Sequence, residues 1–396
     1  MKMKNKILSV LMLLLVPAAF CHAQTVADVL RSIEENNPSL RSARFEKEAG
    51  EAENRADALP DSPEVEFNYL WGDSEMGNRH DLRVTQSIDF ATITGQKAGM
   101  ASARNELASL EYKAARQAVL LEAKQHCIDL VYFNALHSEL EYHLSNADRL
   151  VTAYERKVEL GGSSVLELNN ARLHRSTVHG QLKKVDLERE RILIELQRMN
   201  GGEPVSCNET DLSGLSGVLP EDFETFFNEA SEASPAMRYA QQQTDVQKRQ
   251  LSMDRTAWLP DLTVGYMSEI AQPEAYRGLT FGVAVPLWSN AAKVRRSKAE
   301  LNAAQSRKDE AAQSFYYEML GEFRVAKGLQ NIAAEYRASL ENADNREFLL
   351  KAEEQGEISI IEYITEIDLF YENLEQTLEA ERDFQQSLAS LTSMML

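Results

Sequence analysis

Two hydrophobic periods alternate along this chain. Leu107, Leu110, Ala114, Ala118, Leu121, Ile128, Tyr132 and Ala135 recur at helical steps, and so do Ile367, Phe370, Leu374, Leu378, Phe384, Leu388, Leu391 and Met395. Stripes of this kind are the packing faces of long, coiled-coil-like helices. Proline supports the reading, because residues 64–203 and 287–396 contain none, and proline breaks helix interiors. The first tract predicts a helix from about Gln96 to Leu160, roughly 65 residues and on the order of 100 Å at 1.5 Å per residue. It breaks at Gly161-Gly162-Ser163-Ser164, reverses, and returns as a second helix to about Asn200. The second tract turns in the same way at Gly356.

The other period is two. Val65, Phe67, Tyr69 and Trp71 alternate with Glu66, Asn68 and Leu70, and Leu82, Val84 and Ile88 alternate with Arg83, Thr85 and Ser87. Leu262, Val264 and Tyr266 alternate with Thr263, Gly265 and Met267, and Leu279, Phe281, Val283 and Val285 alternate with Thr280, Gly282 and Ala284. These are strands, expected at about 63–72, 80–90, 261–270 and 277–288. One face is apolar and aromatic, the other small or polar. A transmembrane barrel gives that pattern, and so does a water-soluble sandwich with one buried face. Four strands cannot close a barrel that leaves a channel, so the membrane reading needs strands from several subunits.

The two periods occur in the same order twice. Asn37-Pro38-Ser39-Leu40-Arg41 recurs as Ser234-Pro235-Ala236-Met237-Arg238, and Leu59-Pro60-Asp61 recurs as Leu259-Pro260-Asp261. Lys157 to Leu168 is echoed by Lys351 to Tyr363. The spacing between copies stays at roughly 195 to 200 residues, the signature of a tandem duplication. The expected division is a leader at 1–23, a first repeat at 24–200, a linker at 201–222 and a second repeat at 223–396.

The leader begins with Lys2, Lys4 and Lys6, continues as an apolar run from Ile7 to Phe20, and ends at Cys21-His22-Ala23. This is the form of a secretory signal peptide with a mature start at Gln24; lipidation of Cys21 is the alternative. No later stretch reaches the ~20 apolar residues of a membrane helix. Formal net charge is -20, and losing Lys2, Lys4 and Lys6 leaves 39 basic residues against 62 acidic ones. Such a surface repels nucleic acid. Cys127 and Cys207 remain, with a disulfide between them left open.

No nucleophile elbow, phosphate loop or zinc-protease motif appears, so no enzyme is expected and no cofactor is implied. His126, Cys127, His137 and His143 fall within one helix, but His126 and His137 stand roughly 16 Å apart along it. They cannot share an ion there, and no metal ligands are assigned.

Two copies of helix, strand pair and long helical hairpin behind a signal peptide resemble the TolC family of outer membrane efflux factors. The residues that carry the resemblance are Asn37-Pro38-Ser39-Leu40, Leu59-Pro60-Asp61, Gln86-Ser87-Ile88-Asp89-Phe90 and the turns at Gly161 and Gly356. The resemblance implies a mainly α fold with a small β part: a homotrimer whose twelve strands form one outer membrane β-barrel and whose helices form a periplasmic α-helical barrel. It implies a tripartite pump, with a periplasmic adaptor (membrane fusion) protein and an inner membrane efflux pump docking below. In length, and in Gln96-Lys97 following Gly95, the chain is most similar to the short, metal-ion-efflux branch.

Site residues follow from the same resemblance. Val65, Phe67, Tyr69, Trp71, Leu279, Phe281, Val283 and Val285 would face outer membrane lipid. The hairpin turns, Gly161, Gly162, Val165 and Leu166 with Gly356, Ile360 and Ile361, would contact the adaptor. The acidic constriction falls on Glu362; the next family position is Thr365 here, with Glu366 beside it, and Glu167 stands at the equivalent place in the first repeat. Three copies of Glu362 on an axis would form a negative ring, raising its own pKa values by repulsion and favouring cations. The function expected is a passive trimeric conduit for small solutes, heavy-metal cations among them. A periplasmic coiled-coil adaptor is the alternative, although an adaptor would carry one hairpin rather than two.

Overall fold

The computed structural model describes residues 24–73, 77–271, 274–285 and 290–396. The expected leader, Cys21 and the expected strand end at 286–288 lie outside them.

The element order repeats. Helices α1 (Val26–Asn36) and α2 (Pro38–Asp57) precede strands β1 (Glu64–Leu70) and β2 (Arg79–Ile88), a short α3 (Phe90–Ile93), and the long pair α4 (Gln96–Glu159) and α5 (Val165–Met199). Then α6 (Phe223–Ala233) and α7 (Pro235–Thr256) precede β3 (Asp261–Ala271) and β4 (Glu274–Ala284), followed by α8 (Asn290–Asn342), α9 (Arg346–Gln355), α10 (Ile360–Leu391) and a 3₁₀ turn at Ser393–Met395. The duplicated Asn37-Pro38 and Ser234-Pro235 are helix-to-helix joints. Each proline opens a new helix at a position whose N–H needs no partner, and Ser234 Oγ accepts from the Met237 N–H. Helix α4 runs 64 residues, as its apolar stripe requires.

The chain divides into two compact units. Of the described residues, the first comprises 24–37, 123–215 and 330–386. Its helices bury Leu150, Tyr154, Leu168 and Ala171 against Ile360, Tyr363, Ile367, Phe370 and Leu374, so the two hairpins share one core. The polar joints follow the same logic of satisfying buried groups. Asn37 Nδ2 donates to the Met199 carbonyl at 2.8 Å, and Asn134 Nδ2 donates to the Cys207 and Glu209 carbonyls at 3.0 Å each. Cys127 and Cys207 are both buried free thiols, which answers the open disulfide in the negative here.

The second unit comprises the described residues within 38–122, 216–329 and 387–396 and contains β1, β2, β3 and β4. Asp222 caps α6 through the Thr225 N–H at 2.8 Å. Phe223 then packs at 5.5 Å on both Tyr316 and Phe323 of α8, an aromatic cluster that fixes α6 on that helix. Arg116 Nη1 donates to the Leu396 carbonyl at 2.6 Å.

One break was not expected. The second hairpin's ascending helix is interrupted at 343–345, between α8 and α9, where there is no glycine or proline. Arg346 accounts for it. Its guanidinium reaches Glu139 at 2.8 Å, Asp344 at 2.8 Å and the Phe370 ring at 4.5 Å, and Asp344 Oδ1 also accepts the Arg346 N–H. An aspartate that takes the backbone N–H two residues on competes with the helix ladder.

Candidate channel sheet and hairpin tips

The four strands form one antiparallel sheet in the order β1-β2-β3-β4. Directly opposed residues share a face, so the register shows what each face is made of. Val65 opposes Val84, Val84 opposes Tyr266, and Tyr266 opposes Leu279: one apolar row crosses the whole sheet. Phe67 with Leu82, Val264 with Phe281, and Leu262 with Val283 lie on the same face. The opposite face carries Glu64, Thr85, Gly265 and Thr280 in one row and Glu66, Arg83, Met267 and Gly278 in the next. Arg83 Nη1 meets Glu66 at 3.2 Å and Arg79 Nη2 meets Glu269 at 3.0 Å, so two of its acidic groups are paired.

The apolar face is exposed, and the outer strands β1 and β4 are open on both sides. Leu279 is 72% and Phe281 73% exposed, and Val65, Phe67, Tyr69, Val283 and Val285 are exposed as well. A soluble sheet does the reverse and covers its apolar side. Trp71 is exposed but lies past the end of β1, and Val285 past the end of β4. Leu82, Leu262, Val264 and Tyr266 complete the face; the alternation around them already indicated it. Gly265 is obligatory here: a Cβ at this position would stand 2.6 Å from the Val84 carbonyl oxygen and 2.7 Å from Thr85 Cγ2.

At the first tip, α4 ends with Gly161 at φ 71°, and the Gly162 N–H returns to the Lys157 carbonyl at 2.7 Å. At the second, Gly356 adopts φ 74° and the Glu357 N–H returns to the Ala352 carbonyl at 2.8 Å. Both are left-handed caps that favour glycine. The following helices start alike. Ser164 N–H donates to Glu167 Oε2 at 2.7 Å while the Glu167 N–H donates to Ser164 Oγ at 3.2 Å; Ser359 and Glu362 repeat this at 2.8 and 3.3 Å. These are reciprocal capping boxes.

Glu362 and Glu366 are both exposed at the start of α10. Within one chain the Ser359 N–H and hydroxyl hold the Glu362 carboxyl below its ordinary value, the opposite direction from the repulsion expected of a ring. Hydrogen bonds from Ser163 and Ser164 do the same for Glu167. Val165, Leu166 and Ile361 are exposed at the tips, and so is Leu160. Ile360 is not. It is 1% exposed, because the first residue of α10 turns inward onto Tyr363 and Ile367 in the shared core, and it offers no surface to a partner of this chain.

Lys157 and Glu353 join the two hairpins just inside the tips, at 3.0 Å. Lys157 also lies over the Tyr154 ring at 4.4 Å from its centroid. No helix among the described residues is long and apolar enough to cross a membrane.

A mainly helical chain with duplicated long hairpins and an outward-apolar sheet has the architecture of a TolC-like outer membrane channel. Residues 29–202 match the family model described as "Outer membrane efflux protein". Among solved structures, the chain is similar to CusC, with a TM-score of 0.76 at 16% identity, covering 94% of this chain and 92% of that one. The open state of the Neisseria gonorrhoeae MtrE outer membrane channel gives a TM-score of 0.71 at 14% identity, covering 93% and 88%. The Campylobacter jejuni CmeC outer membrane channel gives 0.69 at 15% identity, covering 93% and 85%. No curated protein matches the sequence significantly.

Proposed function

We propose that the protein is the outer membrane conduit of a tripartite efflux system: a passive homotrimer that exports small solutes, with heavy-metal cations among its cargo, and performs no bond chemistry. One observation carries the reading. The sheet exposes a predominantly apolar face, interrupted at Gln86, Ser268 and Arg277, while β1 and β4 each have a single neighbour. An isolated sheet cannot have such a face and two open edges in water or in lipid. Three copies joined edge to edge, β4 of one to β1 of the next, satisfy both demands with twelve strands, the apolar face outward to outer membrane lipid and the Thr, Gly and paired-charge face lining the lumen.

In this reading the two repeats are 24–200 and 223–396, residues 201–222 link them, and the helices occupy the periplasm. The tips at Gly161, Gly162, Val165, Leu166, Gly356 and Ile361 meet the adaptor, which in turn holds the inner membrane pump. Glu362 and Glu366 form the acidic constriction. The preference for metal cations rests on the acidic balance of the chain and its similarity to the short metal-ion-efflux branch. The adaptor alternative is less suited, since it supplies no role for an outward-apolar sheet.

The test is the edge pairing. Cysteines placed on the outer edges of β1 and β4, in a background without Cys127 and Cys207, should crosslink between chains to covalent trimers in isolated outer membranes. Material that stays monomeric and fractionates with the soluble periplasm would refute the conduit.

A further inference from the structure

Three metal-ligating side chains that the conduit reading leaves unused meet in the first unit. His143 on α4 faces His174 on α5 with Nε2 to Nε2 at 3.2 Å. Asp368 on α10 stands with Oδ1 3.5 Å from His174 Nδ1. One ligating atom from each of the three lies within 4.8 Å of the others. His143 is 2% and His174 5% exposed. The His143 ring lies flat on Tyr371, centroids 3.8 Å apart and planes within 5°, so its direction is fixed by packing.

The spacing is informative. Two imidazole nitrogens bound at about 2.0–2.1 Å to a tetrahedral ion stand roughly 3.3 Å apart, which is the separation found. Asp368 is placed as the carboxylate that orients a ligating histidine through its other nitrogen, a common arrangement behind zinc ligands. In that tautomer His174 presents a bare Nε2, and His143 must either donate a proton to it or share an ion with it. Nδ1 of His143 is buried without a hydrogen-bond partner in either arrangement. Burial holds the proton affinity of both rings down, His143 to about 3.

A cavity of about 540 Å³ adjoins the pair. His143 and Asp368 line it together with Glu188, Glu372 and Glu375, against one cation, Lys184. It offers a cation an acidic approach and room for water in the remaining coordination positions.

We propose that His143 and His174 bind a divalent cation of the zinc class through their Nε2 atoms, with Asp368 holding His174 in the ligating orientation. Imidazole pairs suit Zn²⁺, Cu²⁺ and Ni²⁺ in preference to the hard ions that take oxygen ligands. The site is independent of whether the chain conducts solute, and its test needs no transport.

The detergent-purified full chain is titrated with Zn²⁺ by calorimetry and with Co²⁺ by visible absorption. One Zn²⁺ per protomer is expected, with Co²⁺ giving the strong d–d bands of a tetrahedral site that Zn²⁺ displaces. His143→Gln and His174→Gln should each weaken Zn²⁺ binding 100-fold or more, and Asp368→Asn about 10–100-fold. His137→Gln, whose ring is paired with Asp186 on another face, should change nothing. If a histidine variant fails to fold, the wild-type Co²⁺ spectrum and the exposed Asp368→Asn variant decide. Absence of the Co²⁺ bands, a stoichiometry well below one, or unchanged affinity in Asp368→Asn and the histidine variants would overturn the site and leave a plain N–H···N hydrogen bond.

Discussion

The sheet makes the sharpest demand, because adjacent residues on one strand must respond in opposite ways to the same charge. β4 spans eleven residues. At about 3.4 Å per residue and a tilt near 40°, it rises roughly 28 Å along the membrane normal, close to the ~25 Å apolar band of an outer membrane barrel. Leu279 is its central residue, 72% exposed, and stands in the apolar row with Tyr266, Val84 and Val65. Thr280, one step on, points to the other face opposite Gly265. Leu279→Arg should therefore cost about 2 to 4 kcal/mol per chain at the midplane, or about 6 to 12 kcal/mol for three chains folding together. Thr280→Arg should cost within about 0.5 kcal/mol, as a substitution on a solvated surface does. The measurement is equilibrium refolding of each full-length variant into phospholipid vesicles over a denaturant series, with trimer recovery read on semi-native gels. Equal costs for the two, or a larger cost for Thr280→Arg, would place the apolar face away from lipid and refute the barrel.

Three further outcomes are expected. In planar bilayers the wild type should prefer potassium over chloride, and Glu362→Gln should lower that preference and raise basal conductance; no change in either would put Glu362 on a solvated outer face. The carboxyls of Glu167 and Glu362 are held below their ordinary value, so their caps are complete above about pH 4.3 and are lost as pH falls through the lower folded values. Hydrogen exchange at 164–167 and 359–362 should accelerate there before the helix interiors do; simultaneous exchange would show the caps to be irrelevant. Lys157→Met leaves the buried Glu353 carboxylate without its ammonium and should lower stability by about 1–3 kcal/mol, discounted from a fully buried pair because Lys157 is partly exposed. Arg149→Met, at the exposed pair with Glu354, should cost under about 1 kcal/mol in the same denaturant series.

Legibility in the sequence followed how local each cause is. The strands were readable because alternation is a nearest-neighbour property, and the observed β2 and β3 fall within a residue or two of the expected bounds. Helix α4 was readable because a stripe over many turns averages out local noise. The break at 343–345 was not, since it depends on Arg346 reaching Glu139, more than two hundred residues away in sequence. Ile360 was misplaced for a related reason. A residue next to a turn glycine looks exposed until the neighbouring hairpin is known to cover it. His143 and His174 lie on different helices with no pattern between them, so reading along one helix could not bring them together.

The capping boxes change what the acidic tips mean. Ser164-Val165-Leu166-Glu167 and Ser359-Ile360-Ile361-Glu362 both have the serine-to-glutamate spacing that closes a helix start, so an acidic residue at each place is required by the fold of the tip before any role in a pore. The two demands are compatible at Glu362. The cap engages Oε2 and keeps the carboxylate ionised, while the side chain stays exposed and its charge acts outward. A ring built from such residues would be anionic over a wide pH range, because the cap opposes the protonation that mutual repulsion favours. Glutamine keeps an acceptor oxygen for the cap and removes the charge, which is why Glu362→Gln separates the electrostatic role from the structural one.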